Sequence, residues 1–429
     1  MHTLQDGNKQ QKGRLWENVV SLYVLQGLNY IIPMAILPYL VRTLGMEFYG
    51  LTAVAQSFSM YAAAFTDYGF NFSATRAIAQ QRDNPRAVSQ IFSVVFTIKL
   101  LILCMCFIFL VIGTLYISVF RQHASYFFAA YVSVIGWVLF PLWLFQGMEE
   151  MRYVSIITGL ARIIGALALF VVVRSPRDAV LSIYVQSLTL VISGLFGLLI
   201  GVRRFNIVFI KPAISDLWLA LRDGWHIFMS VAAITVYTNT NIFFLGMLSS
   251  NVEAGYYSAA EKIVRAIQGV IGPITQALFP HMNVLAAQSR KLALQFVGRV
   301  LLWVGGAMFI VSSALLVFAR PLVMIYLGHR AAGSVPVIEW IAFLPFIVSV
   351  SNLLGIQTMI PFRLDKYLSG ILVGAGVLHV LVSYLLTRSL SARGAAMSLL
   401  ITEVFITAAT VLVLYKKVFV DIYSTNSAV

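Results

Sequence analysis

Residues 251–283 read NVEAGYYSAAEKIVRAIQGVIGPITQALFPHMN. At about 1.5 Å of helix per residue this stretch is long enough to span the roughly 30 Å apolar layer of a bilayer. Yet Glu261, Lys262 and Arg265 lie in its first half, with Gly269, Gly272, Pro273 and Pro280 behind them. Helical spacing puts Glu261 and Arg265 one turn apart on a face that Gln268 and Gly272 continue. A charge at that depth costs at least about 2.5–3.5 kcal/mol on insertion scales, so these side chains are expected to face water or a partner and not lipid. The bland reading is that Glu261 and Arg265 only neutralise each other in a packed bundle. Against it, Lys262 is left over, so a functional polar face is expected here.

The rest of the chain agrees that the medium is lipid. With 60% apolar residues, 11% charged residues and a mean hydropathy of +0.88, 429 residues do not make an ordinary soluble domain. The chain reads as a polytopic membrane protein. Its formal charge of +14 comes from 30 basic against 16 acidic residues. In such a protein that excess points to cytoplasmic loops and an anion-binding interior, and no nucleic-acid partner is expected. Cys104 and Cys106 fall in an apolar run without metal-ligand spacing, so inert buried thiols and no metal site are expected. No cleavable signal is expected: residues 1–15 are polar, and the first apolar run is too long for a signal's hydrophobic region.

Twelve apolar runs approach the twenty residues a crossing needs: 16–41, 48–70, 89–115, 122–145, 151–173, 178–201, 225–248, 252–280, 292–318, 336–360, 367–389 and 395–417. They lack two-residue alternation, which excludes a strand-built barrel and leaves an all-α bundle. With the N-terminus in the cytoplasm, 17 basic residues fall inside, among them Arg76, Arg82, Arg86, Arg203, Arg204 and Lys211, and eight outside. That imbalance puts both termini in the cytoplasm. Lys99, Arg162, Lys262, Arg265 and Arg299 remain within spans, and Arg299 is close enough to an inner end to snorkel.

The longest connection, 206–224, holds Pro212, Ser215 and DLWLALRD, which predicts a short amphipathic helix in the interface. It divides the chain into a six-span half over 1–205 and another over 225–429. A weak repeat supports the division: Gly50 matches Gly255 at an offset of 205, and Pro141 matches Pro345 at 204. An even number of spans per half predicts an axis along the membrane normal and a central cavity between two rocking lobes.

The leading span of each half is unusually polar, with Asn18, Gln26, Asn29, Pro33 and Pro38 in one and Thr235, Thr238, Asn239 and Asn241 in the other. Singly such residues are most often hydrogen-bonding glue; together they suggest a lined cavity. Lys99 has no carboxylate one turn away, so it needs a partner on another helix, such as Asp67, or an anionic ligand. Arg162 sits between Gly159 and Gly165, where close packing can cover it. His379 and Glu403, together with Asp67 and Glu261, are candidates for coupling a proton or sodium ion, each with the alternative of a satisfied polar residue. Gly197/Gly201 and Gly370/Gly374 have the four-residue spacing of close helix packing.

The segments NVVSLYVLQGLNYIIPMAILPYLVRTLGMEFYG, DYGFNFSATRAIAQQRDN, PLWLFQGMEEM and NTNIFFLGMLSS followed by EAGYYSAAEKIVRAIQGVIGPITQALFPHM together resemble the Wzx O-antigen flippases of the polysaccharide-transporter family. The likeness runs over essentially the whole chain. Its shorter pieces are similar also to MATE exporters and lipid II flippases of the same multidrug/oligosaccharidyl-lipid/polysaccharide superfamily, built as two six-helix lobes around a cavity. The resemblance implies export of an undecaprenyl-pyrophosphate-linked oligosaccharide across the bacterial inner membrane, with an O-antigen polymerase and a chain-length regulator as partners. Such a cargo needs fixed cations for its pyrophosphate, for which Lys99, Arg162, Lys262 and Arg265 are the candidates, and amides or aromatic faces for its sugars, for which Asn29, Gln56, Asn239, Gln268, Tyr61 and Tyr257 are. Two other classes stay open: an ion-coupled exporter of small molecules, which would favour carboxylates inside, and a membrane glycan polymerase, which would carry a large outer loop. No phosphate-binding glycine loop, HExxH or GxSxG is present, so a transporter without a catalytic site is expected.

Overall fold

The computed structural model describes the backbone of His2–Phe419 and the side chains of residues 27, 30–272, 274–275 and 278–418. All its regular elements are helical. They run α1 (His2–Asp67), α2 (Phe70–Gln81), α3 (Pro85–Tyr116), α4 (Ser118–Gln122), α5 (Ala124–Leu139), α6 (Leu142–Gly147), α7 (Met151–Val172), α8 (Ala179–Arg204), α9 (Ile214–Leu248) and α10 (Asn251–Gly269). Then follow α11 (Ile271–Gln288), α12 (Arg290–Val300), α13 (Gly306–Val317), α14 (Ala319–Leu322), α15 (Ser334–Ile341), α16 (Leu344–Leu354) and α17 (Asp365–Leu414). Local chemistry explains several starts. Asn84 accepts the Ala87 N–H ahead of α3, whose first residue is Pro85, and Ser250 accepts the Glu253 N–H at the head of α10.

Nine helical stretches among the described residues are long and apolar enough to cross a membrane. Large apolar side chains such as Leu101, Phe109, Ile164, Phe196 and Ile310 are exposed on them, which a protein in water does not sustain on this scale. The chain is therefore a multi-pass membrane protein. The difference from twelve runs has a local origin. Runs 16–41 and 48–70 share one helix, and runs 367–389 and 395–417 another. The qualifying stretches there, Tyr30–Gln81 and Asp365–Val418, hold 52 and 54 residues, more than twice the length that one crossing of about 30 Å takes. Each bends at a non-helical residue, Gly45 (φ 75°, ψ 165°) and Ser391 (φ 50°, ψ −130°). The first of these conformations is open to glycine almost alone. Run 252–280 divides between α10 and α11 and is not among the nine.

By internal contacts the chain forms two compact units, Met1–Ile36 with Ala55–Thr235, and Leu37–Val54 with Val236–Val429. In the first, Phe70, Ile78, Phe92, Val95, Trp143 and Leu144 are buried together. The 206–224 connection belongs to this unit. Its first part is extended against α3, where the Val208 and Ile210 N–H groups donate to Ser89 and Ser93 Oγ at 3.2 and 2.9 Å. The amphipathic helix expected there exists, but it continues without a break into the next span as the 35-residue α9.

In the second unit, residues 37–54 of α1 lie against α10 with backbone touching backbone. A Cβ on Gly50 would stand 1.7 Å from Asn251 O, and one on Gly255 would stand 2.3 Å from Met46 O. The contact is reciprocal: Met46 and Gly50, moved on by 205 residues, become Asn251 and Gly255, the pattern of an isologous pairing. Arg42 extends it by donating to the carbonyls of Ile325, Tyr326 and Leu327 at 2.7, 3.0 and 3.3 Å, at the end of a π-helical turn. The glycine pairs behave differently from each other. Gly197 and Gly201 pack on Phe140 and Leu144, whereas a Cβ on Gly370 or Gly374 would meet nothing within 4 Å.

Candidate functional site

The polar residues singled out in the sequence fall into both units. In the first, Lys99 is 3% exposed and its Nζ lies 3.3 Å from Asp67 Oδ1, so the partner sought on another helix is Asp67. Gln56 Nε2 donates to Gln186 Oε1 at 3.2 Å. Arg162 lies on the face of α7 that also carries Ser155, Gly159 and Leu169, and its buried Nη1 has no hydrogen-bond partner. Outside the spans, Arg82 donates to Glu149 Oε1 at 2.9 Å, and this hydrogen bond and charge hold its guanidinium above the ordinary arginine range. Glu150 accepts from Arg204 at 3.1 Å.

In the second unit, α10 presents Glu261, Lys262, Arg265 and Gln268. Arg265 places Nη2 2.6 Å and Nε 2.9 Å from Glu261 Oε1, and Nη2 reaches Thr238 O at 3.2 Å. The pair is lopsided in exposure: the Glu261 side chain is 6% exposed and that of Arg265 43%. Mutual neutralisation is therefore real, but the guanidinium keeps an open side. Lys262 forms no ion pair among the described residues; its Nζ sits 5.1 Å from the centre of the Tyr49 ring. Gln268 is half-buried, and Asn239 Nδ2 donates to Thr238 Oγ1 at 3.1 Å. The side chain of Asn29 lies outside the described residues.

A buried polar network runs through the same unit and was only partly legible. Asn241 is its hub. Its Nδ2 donates to Tyr257 Oη at 2.8 Å and Ala395 O at 3.0 Å, and its Oδ1 accepts from Ser383 at 2.6 Å and Ser398 at 3.0 Å. Ser398 O accepts from Thr402 Oγ1, and His379 Nδ1 lies 2.8 Å from that same Oγ1. The other ring nitrogen of His379, Nε2, is buried without a hydrogen-bond partner. Glu403 is 8% exposed, and its carboxylate forms no hydrogen bond or ion pair among the described residues. The signal for this network lies in the spacings His379/Ser383 and Ser398/Thr402, each one helical turn, opposite an asparagine in an apolar span.

The arrangement supplies cations with unequal freedom. Lys99 is engaged by Asp67, Arg265 is engaged on one side, and Arg162 and Lys262 have no carboxylate partner among the described residues. Guanidinium and ammonium groups in that condition suit an anion of the phosphate class. No cluster of three or more His, Cys, Asp or Glu side chains able to hold a metal ion occurs among the described residues.

Residues 15–285 match the family described as Polysaccharide biosynthesis protein. A protein named "Putative O-antigen transporter" from Escherichia coli (strain K12) is 34% identical over 397 residues, covering 92% of this chain and 95% of the relative. One of the same name from Shigella dysenteriae is 32% identical over 400 residues, covering 91% and 97%. In fold, the chain is similar to the inward-closed lipid II flippase MurJ, with TM-score 0.66 and 10% identity over 92% of this chain and 87% of that one. It is similar also to an inward-facing MATE-family multidrug transporter of the MOP superfamily, with TM-score 0.63 and 14% identity over 92% and 96%.

Proposed function

The chain belongs to the polysaccharide biosynthesis protein family, and from that premise we propose that it is a flippase, carrying an undecaprenyl-pyrophosphate-linked O-antigen repeat unit from the cytoplasmic to the periplasmic leaflet of the bacterial inner membrane by alternating access. The observation that carries the reading is the likeness, over nine-tenths of the chain, to two relatives whose names give O-antigen as cargo. The side chains support it independently. A pyrophosphate cannot enter a low-dielectric layer without fixed positive charge, and Lys262, Arg162 and the open side of Arg265 offer that charge. Lys99 is the weaker member of the set, because Asp67 already holds it. Gln56, Asn239, Gln268 and Asn29 serve the sugars.

The two long, bent helices each cross twice in this reading, and α10 with α11 supplies one more crossing. Twelve crossings in two lobes of six result, with both termini cytoplasmic. A proton or sodium gradient drives the cycle. Of the four coupling candidates, Asp67 and Glu261 are held by cations, so His379 and Glu403 carry the ion. The polymerase and the chain-length regulator take the product on the far side, and no covalent step belongs to this chain.

The test has two parts. Deleting the protein should trap lipid-linked repeat units on the cytoplasmic leaflet, measured by mass spectrometry of surface-labelled lipid; no accumulation would sink the function. Alanine at both Lys262 and Arg265 should abolish export at unchanged membrane abundance. Unimpaired export in that variant would falsify the assignment of the pyrophosphate site.

A further inference from the structure

In the first unit a cavity of about 330 Å³ opens between α2, the start of α3 and the first turns of α9. Phe70, Val94 and Leu219 give it apolar walls, while Gln90, Asp216 and Asp223 supply polar groups. No basic side chain lines it, although the chain as a whole carries a charge of +14. Gln90 Nε2 reaches Asp216 Oδ2 only at 3.5 Å, and neither aspartate forms an ion pair among the described residues.

The position of the cavity decides what can enter it. The first turns of α9 expose Ile214, Trp218 and Trp225 beside the charged Lys211, Arg222 and Asp223. Exposed tryptophan next to charge is the signature of a membrane–water interface. The cavity therefore opens at the depth of lipid head groups. Its size is at the lower end of the roughly 300–1,000 Å³ typical of ligand sites, enough for a head group and its first methylenes. Two carboxylates that form no ion pair among the described residues, at the edge of a low-dielectric layer, favour a cation that also donates hydrogen bonds, and a primary ammonium has three donors.

We propose that this cavity binds a phospholipid with a primary-ammonium head group, its nitrogen at the rim that Asp216 and, two turns on, Asp223 line, and its methylenes against Phe70, Val94 and Leu219. The bound lipid fastens the start of α9 to α2 and α3. The proposal does not depend on the identity of the cargo.

The purified full-length chain is reconstituted in vesicles of phosphatidylglycerol mixed equally with phosphatidylethanolamine, or with phosphatidylcholine, and retained lipid is read by native mass spectrometry. Phosphatidylethanolamine should be enriched roughly tenfold or more over phosphatidylglycerol, the scale of one charge-assisted hydrogen bond. Phosphatidylcholine, whose quaternary nitrogen has no donor, should show no such enrichment. The double substitution Asp216→Asn, Asp223→Asn should remove the enrichment at unchanged helix content. Equal retention of the three lipids by the unaltered chain overturns the proposal, and that comparison needs no variant to fold. Undiminished phosphatidylethanolamine retention in a folded double variant overturns it as well.

Discussion

Replacing Gly50 by alanine tests a backbone-to-backbone helix contact in the second unit. The added Cβ would stand 1.7 Å from Asn251 O and 2.6 Å from Gly255 N, against a floor of 3.0 Å for real Cβ contacts. The two backbones must therefore part by at least 3.0 − 1.7 = 1.3 Å, and no rotamer change can absorb the difference, because both obstructing atoms are main chain. Overpacking of a tight contact costs about 1–3 kcal/mol, and backbone against backbone belongs at the upper end. About 3 kcal/mol corresponds to a more than hundredfold shift towards any conformation in which the contact is open. The assay is disulfide trapping of the pair Met46→Cys, Asn251→Cys after Cys104 and Cys106 are replaced by alanine. Gly50→Ala should sharply reduce the cross-linked fraction and lower Tm in detergent. Gly370→Ala is the control, since its Cβ would meet open space and alanine is the better helix former. Equal cross-linking and equal Tm for the two alanine variants would refute the reasoning.

Asp67→Asn should destabilise the chain by about 3–5 kcal/mol by leaving Lys99 buried without its counter-charge, while the double variant Asp67→Asn, Lys99→Met recovers most of the loss; thermal unfolding of the three proteins checks this. Asn241→Leu should lower Tm further than an ordinary surface change, at about 1–3 kcal/mol for each partner left unsatisfied, chiefly Tyr257 and Ser383. Arg42→Ala should speed amide exchange around residues 323–331, because three carbonyls lose a shared donor. Arg42→Lys should not restore protection, because an ammonium lacks the planar fork; hydrogen-exchange mass spectrometry reads both.

The class of the protein and the positions of its helices were legible because they depend on properties local in sequence. Asn84 and Pro85 announce the start of α3, and Ser250 that of α10. The Glu261/Arg265 pair follows from helix geometry alone. What spacing along one helix does not reveal is which helix lies opposite. Gly197/Gly201 and Gly370/Gly374 share one motif, yet only the former meets a neighbour. Lys99 needed a partner from another helix or an anionic ligand, and only the fold, which puts Asp67 at 3.3 Å, decides for the carboxylate. Asn241 looked like one of four similar polar residues, and only the arrival of Ser383, Ala395 and Ser398 around it makes it a hub. The break at Gly45 was hidden for a different reason, since the apolar pattern on either side continues and only the backbone angle records the bend.

The seating of residues 37–54 in the unit otherwise made of Val236–Val429 bears on biosynthesis. About 200 residues separate Gly50 from its neighbours Asn251 and Gly255, and at roughly 5–20 residues per second a ribosome takes some 10–40 s to make them. Through that interval the glycine face is without the helix that it finally lies against. The nascent chain must be shielded or tolerant there, and the two units do not mature as independent beads on a string, because the second is completed by a piece of chain that was inserted first.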